Sequence, residues 1–224
     1  MKKLESTLPN MVIVLTAVSI ISAALLGVMQ QLTKEPIAKI ERQTLEGGIR
    51  KVMLAGQAGE LTVVSTENVE NENGVFTVYT AEMGGAAIGK AVKTTVTGFS
   101  PGLTVLTGFD PEGNILGYEI LASSETPGLG EKAGAWFQKG QKGDIIGKNP
   151  GQGELRVSKD GGEVDAITAS TITSRAFLRA VNMEYATVAA TDAKAQESRP
   201  VVVDSVATPV DTVTIMDTAK VVAQ

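Results

Sequence analysis

The stretch TVLTGFDPEGNILGYEIL, Thr104 to Leu121, sets two runs rich in aliphatic and aromatic residues on either side of a turn signal. In Pro111-Glu112-Gly113-Asn114 the proline fixes φ at about −65° and the glycine is free to take φ > 0. That combination between strand-like runs predicts an antiparallel hairpin. Short β-branched runs of the same texture precede it: LTVVST from Leu61, GVFTVYTAE from Gly74, AAIGKAVKTTVTGF from Ala86 and LTVLTGF from Leu103. Turn signals split these runs, so the expected sheet is mostly antiparallel. The predicted class is α+β.

Helical patterns flank the sheet on both sides. Downstream, RAFLRAVNMEYATVAA places Phe177, Leu178, Val181 and Tyr185 on one helical face. Upstream, TKEPIAKIERQTLEGGIRKVM repeats Ile37, Ile40, Leu45, Ile49 and Val52 at helical spacing, with charges opposite. It reads as an amphipathic helix packed on its own domain and interrupted or kinked at Gly47-Gly48. A Gly-rich stretch from Thr126 to Gly153 carries the single tryptophan, Trp136.

Met11 to Met29 contains no charge, and Thr16, Ser19 and Ser22 are its polar interruptions. As a helix it spans roughly 28 Å, close to the hydrocarbon thickness of a bilayer. A cleaved signal peptide would have a shorter apolar region and a small-x-small cleavage site. This run continues instead into VMQQLTKEP, and we read it as an uncleaved anchor. Lys2 and Lys3 on the short side put the N-terminus in the cytoplasm, although Lys34 and Lys39 oppose them. The expected organisation is a cytoplasmic N-terminus over 1–10, a transmembrane helix over 11–29 and an amphipathic connector over 30–58. An extracytoplasmic domain over 59–190 and a Val/Thr/Asp-rich tail over 191–224 follow, the tail with no function assigned.

Composition narrows the chemistry. The 224 residues carry a net charge of −5 with no basic block, which excludes nucleic acid as an expected partner. No cysteine and no histidine are present. Iron–sulfur clusters, thiol nucleophiles, Ser-His-Asp triads and His-based zinc sites are therefore excluded. Redox work would need a bound organic cofactor.

Two motifs remain. DAITASTITSR, Asp165 to Arg175, places hydroxyls at Thr168, Ser170, Thr171, Thr173 and Ser174 just before the downstream helix. Ser or Thr at that point is a common N-cap. The same helix N-terminus, with unpaired N–H groups and the positive end of the dipole, also favours a phosphate. SSETPGLGEKAGAWF, Ser123 to Phe137, follows a predicted strand. Its glycines either turn the chain or allow close backbone approach to a planar ligand.

Taken together, behind an N-terminal apolar helix, these segments resemble the FMN-binding G subunit of the Rnf electron-transport complex. That family is similar to the C subunit of the sodium-translocating NADH:quinone reductase. Its Asp-x-x-Ser/Thr-Gly-Ala-Thr motif is matched by Asp165, Thr168, Ala169, Ser170 and Thr171, and its Glu-Thr-Pro-Gly-Leu-Gly stretch by Glu125 to Gly130. LTKEPI after the anchor is also similar, and the likeness runs to about Ala190. The resemblance implies FMN joined by a phosphoester to Thr171, with Ser170 as the alternative acceptor. It places Glu125, Thr126, Leu129 and Gly130 around the isoalloxazine ring. It further implies a Mg²⁺-dependent transferase that takes FMN from FAD. Other membrane proteins of the complex are implied as partners, and the inner membrane as the location. A catalytic residue and a metal site in this chain are not expected. Alternatives are the related quinone-reductase component and an anchored, non-redox binding module. Ala169 and Ser170 stand where the family has Gly and Ala; if the first position needs φ > 0, Ala there is strained.

Overall fold

The computed structural model describes residues 8–54, 59 and 61–197. Lys2, Lys3 and the tail beyond residue 197 lie outside them. The elements in chain order are α1 (Leu8–Leu54), β1 (Leu61–Asn71), β2 (Gly74–Met83), β3 (Ala86–Val96), β4 (Leu103–Phe109), β5 (Ile115–Ala122), the short α2 (Ala133–Trp136) and α3 (Thr171–Glu197). All five strands form one sheet in the order β1-β2-β3-β4-β5, each antiparallel to its neighbour. The architecture is α+β, as the turn chemistry predicts. At Pro111–Asn114, Gly113 takes φ 87° and the Asp110 carboxylate accepts from both the backbone and side-chain nitrogens of Asn114, each at 2.8 Å.

Two cores cover the two faces of the sheet. On one, α3 and the long loop after β5 bury Phe76, Val92, Val105, Phe109, Phe137, Phe177 and Val181. Phe137 stacks on Phe177 with ring centroids 4.4 Å apart, and Tyr118 meets Phe177 edge-on at 4.8 Å. The Tyr118 hydroxyl donates to the Ala133 carbonyl at 2.7 Å and accepts from the Phe137 amide at 3.2 Å, which pins α2 against β5. Burial pushes the Tyr118 phenol far above its ordinary range.

The other face receives the C-terminal end of α1 through Ile49, Val52 and Met53. Here the expected interruption at Gly47-Gly48 is absent, because α1 runs unbroken to Leu54. Gly48 allows close approach to the sheet. A Cβ there would lie 3.0 Å from Leu121 Cδ2 and 3.1 Å from Leu106 Cδ2. Gly108 and Gly117, paired across β4 and β5, answer it from the sheet. A Cβ on either would meet the Val52 carbonyl oxygen, at 3.0 and 3.1 Å. The apolar stripe of the connector is corrected in the same way. Leu45, Ile49 and Val52 pack on the sheet, whereas Ile37 and Ile40 remain exposed where α1 has risen off it.

The N-terminal part of α1 contains an 18-residue window of mean hydropathy 2.6 in which no residue is buried. Its Ser19 hydroxyl returns to the Leu15 carbonyl at 2.9 Å, so that polar group is satisfied within the helix. Downstream, α3 begins at Thr171, earlier than its apolar stripe, and extends past Thr191 to Glu197.

Glu184 on α3 is fully buried, and neither carboxyl oxygen has a hydrogen-bond partner among the described residues. Thr107 Oγ1 is likewise unpartnered. Burial pushes the Glu184 carboxyl well above its ordinary value. Above about pH 4.3 the unfolded chain releases this proton while the native core retains it, so stability falls as pH rises towards the native value. Glu184→Gln should flatten that decline, measured as the thermal midpoint of the detergent-solubilised chain between about pH 4 and 9. Equal slopes for variant and wild type would show that Glu184 does not titrate in this way.

Candidate functional site

The first turn of α3 sorts the five hydroxyls of residues 165–175 into different positions. Ser174 Oγ donates to the Ser170 carbonyl and accepts from the Ile167 amide, both at 3.0 Å, closing the turn that leads into the helix. Thr173 Oγ1 donates to Glu125 Oε2 at 2.8 Å inside the protein. Ser170 is 8% exposed, Thr173 1% and Ser174 0%. Thr168 is exposed and Thr171 half-buried. The chain enters this arrangement through Ala169 at φ 62°, the one non-glycine residue with positive φ among the described residues. The position where Ala replaces the family's Gly does require the left-handed conformation.

Glu125 organises the opposite wall. Its Oε1 accepts from the Ser100 amide at 3.2 Å, while Oε2 receives Thr173. Two glycines make room for it. A Cβ at Gly98 would overlap Oε1, and one at Gly130 would lie 2.5 Å from Oε2 and 2.8 Å from Thr173 Oγ1. Gly130 thus borders the cavity while its missing side chain accommodates Glu125. Gly128 turns the chain at φ 74°.

Between these walls lies a cavity of about 360 Å³, within the size range of small-molecule sites. Glu125, Thr126, Leu129 and Gly130 line one side, and residues 169–173, including Ser170 and Thr171, line the other. Six of the sequence-predicted residues are therefore brought together. Asp165 and Thr168 are not among the lining residues. Asp165 instead holds the turn: its Oδ1 accepts from Ser158 Oγ at 2.9 Å and its carbonyl from Trp136 Nε1 at 2.8 Å.

Sequence reasoning missed three contributors. Phe99, 68% exposed, and Ile172, 55% exposed, line the cavity with their apolar side chains turned out of the core. Ile172 falls off the helical stripe of Phe177, Leu178 and Val181, and that was its available signal. Phe99 reaches the site only through the fold. Lys159 was the third: its ammonium donates to Thr171 Oγ1 at 3.4 Å from the helical turn Ser158–Asp160. Nearby, the Arg175 guanidinium donates to both Asp160 carboxylate oxygens, at 2.7 and 2.6 Å, and holds that carboxyl below its usual value.

A cavity with apolar edges and a polar floor against a helix N-terminus suits a phosphate-bearing aromatic ligand. Residues 98–185 match the FMN-binding domain family, which covers the cavity walls and α3's first turns. The G subunit of an ion-translocating oxidoreductase complex from Stutzerimonas stutzeri is 32% identical over 185 residues, spanning 80% of this chain and 79% of that one. The G subunit of the Na(+)-translocating ferredoxin:NAD(+) oxidoreductase complex of Acetobacterium woodii is 34% identical over 187 residues, spanning 76% and 86%. The corresponding Aliivibrio fischeri protein is 29% identical over 185 residues, spanning 79% and 88%. The chain belongs to the family of G subunits of the ion-translocating oxidoreductase complexes.

Ala in the left-handed region costs roughly 1–2 kcal/mol, partly offset by the extra freedom glycine has when unfolded. Ala169→Gly should therefore raise the thermal midpoint slightly, by about 0.5 kcal/mol of stability. A lowered midpoint would contradict the strain at this position.

Proposed function

We propose that this chain is a membrane-anchored flavoprotein that relays electrons through FMN joined to Thr171. It works as a component of an ion-translocating ferredoxin:NAD⁺ oxidoreductase complex and does not catalyse the overall reaction alone. The observation that carries the attachment site is the contrast among the hydroxyls. Ser170, Thr173 and Ser174 are buried, Thr168 is exposed but lies off the cavity, and Thr171 borders the cavity and is open to an incoming group.

The residues present suit the cofactor. Thr171 Oγ1 would carry the phosphate at the positive end of α3, where one negative charge is favoured. Phe99, Leu129 and Ile172 offer apolar surface that would keep water from the ring system. Glu125 and Thr126, which line the same cavity, would supply polar contacts. Leu129 and Gly130 would set how close the ring can come. The flavin, once bound, supplies the one- and two-electron chemistry, and the protein positions it and sets its surroundings.

With no histidine or cysteine to activate Thr171, self-catalysed attachment is disfavoured, and the family resemblance implies a separate Mg²⁺-dependent transferase. The Thr171 Oγ1–phosphorus bond forms, the pyrophosphate bond of FAD breaks, AMP leaves and the hydroxyl proton is released. Asp165, fixed by Ser158 and Trp136, keeps the acceptor turn in shape. The unburied apolar part of α1 supports a single membrane span, and Lys2 and Lys3 before it favour a flavin domain on the extracytoplasmic side. The other membrane proteins of the complex would be its electron donors and acceptors.

Co-expression with a flavin transferase should give a band that remains fluorescent after SDS denaturation. The peptide containing residues 165–175 should carry an FMN mass adduct. Thr171→Ala should remove both signals. An adduct surviving on that variant would move the site to Ser170 or another hydroxyl, and a wild-type chain without adduct would leave only an anchored, non-redox module.

A further inference from the structure

The helical turn Ser158–Asp160 addresses the acceptor segment with three consecutive side chains. Ser158 Oγ donates to the Val164 carbonyl at 3.0 Å and to Asp165 Oδ1 at 2.9 Å. Lys159 Nζ donates to Thr171 Oγ1 at 3.4 Å. The Asp160 carboxylate accepts two hydrogen bonds from Arg175. The turn therefore grips the segment before, at and after Thr171.

Its own backbone leaves little freedom. The Ser158 amide donates to the Val164 carbonyl at 2.8 Å, and Val157 bridges to Val164. Gly161 takes φ 81°, and a Cβ at Gly162 would overlap the Arg156 carbonyl oxygen. The reversal after Asp160 thus demands two glycines.

Charge is allotted unevenly around this turn. Arg156 is paired with Glu154, Arg175 with Asp160 and Lys148 with Glu163. Lys159 has no acidic partner among the described residues, and its ammonium donates to a neutral hydroxyl. A neutral hydroxyl calls for no counter-ion; an anion formed on that oxygen does.

We propose that Lys159 is a positioning residue for the flavin phosphate, holding its negative charge at Thr171 during transfer from FAD and in the finished phosphodiester. The inference rests on Thr171 being the attachment point. In the transfer the Oγ1–phosphorus bond forms as the FAD pyrophosphate bond breaks. AMP departs with the bridging oxygen, and the hydroxyl proton passes to the transferase or solvent. No group is oxidised or reduced, and Lys159 contributes its positive charge and its hydrogen bond to the oxygen that receives the phosphate.

Because Lys159 is exposed, its effect should be modest and salt-sensitive. The test uses the full-length chain in detergent with a purified transferase, FAD and Mg²⁺. It follows the initial rate of adduct formation on the peptide containing Thr171 by mass spectrometry. At about 10 mM salt, where the screening length is about 30 Å, Lys159→Gln should slow transfer about fivefold. Lys159→Glu should slow it further, and Lys159→Arg should stay near wild type. At about 1 M salt, where screening acts within about 3 Å, the differences should shrink. Wild-type rates in Lys159→Gln at low salt would overturn the inference, as would a Lys159→Arg loss equal to that of Lys159→Gln or a deficit unchanged by salt. If the wild-type chain takes no adduct at Thr171, the attachment reading falls and this inference with it. An adduct on wild type alongside an unaffected Lys159→Gln sinks only the role of Lys159.

Discussion

The buried carboxyl group of Glu125 is the constraint from which the site follows. It joins three separate segments: Ser100 in the connection between β3 and β4, its own loop after β5, and Thr173 in the first turn of α3. These same segments are the walls of the cavity. A buried carboxyl with unmet hydrogen bonds would be expensive, so both oxygens must find donors. Gly98 and Gly130 are glycines because the carboxyl group occupies the space their side chains would need. The glycine of the loop motif and the threonine of the hydroxyl motif are thereby parts of one contact.

The sheet beneath the site is held from both sides, and the two sides do different work. On one face α3 and the loop after β5 build the larger core, with the cavity at the N-terminal end of α3. The other face takes the end of α1, where glycines Gly48, Gly108 and Gly117 allow close approach. A long helix that meets a domain through so close a fit leaves little hinge at that junction. The expected connector is thus continuous with the apolar segment before it, and its end is seated on the sheet by Ile49, Val52 and Met53 where the glycines leave room.

How much of this could be read from residues depends on the range of the determining contact. The hairpin at Thr104–Leu121 was legible because Pro111 and Gly113 act on their own backbone. The apolar stripe of α3 was legible for the same reason, although the helix itself starts a turn earlier, at Thr171. Gly47-Gly48 was not: a glycine pair can break a helix or admit a neighbour, and the deciding atoms belong to Leu106 and Leu121, far along the chain. The apolar spacing of Ile37 and Ile40 matched that of Ile49 and Val52, yet only the latter reach the sheet. Within the site, Glu125 to Gly130 and Ser170 to Thr171 were found as motifs. Phe99 and Lys159 were not, since their place beside Thr171 exists only after the chain has folded.

Ala169 shows why local rules yield at this place. Left-handed backbone is unfavourable for alanine, and strain of this kind persists where the surroundings over-determine it. Here they do. The Ser170 amide bonds the Ile167 carbonyl at 3.0 Å, and Ser174 closes the same turn through its hydroxyl and its backbone. Turning the chain sharply at Ala169 starts α3 so that Thr173 faces inward to Glu125 while Thr171 faces the cavity. A relaxed backbone at Ala169 would rotate both threonines together. The inward hydrogen bond and the outward hydroxyl are thus one geometric condition, set by the same strained residue.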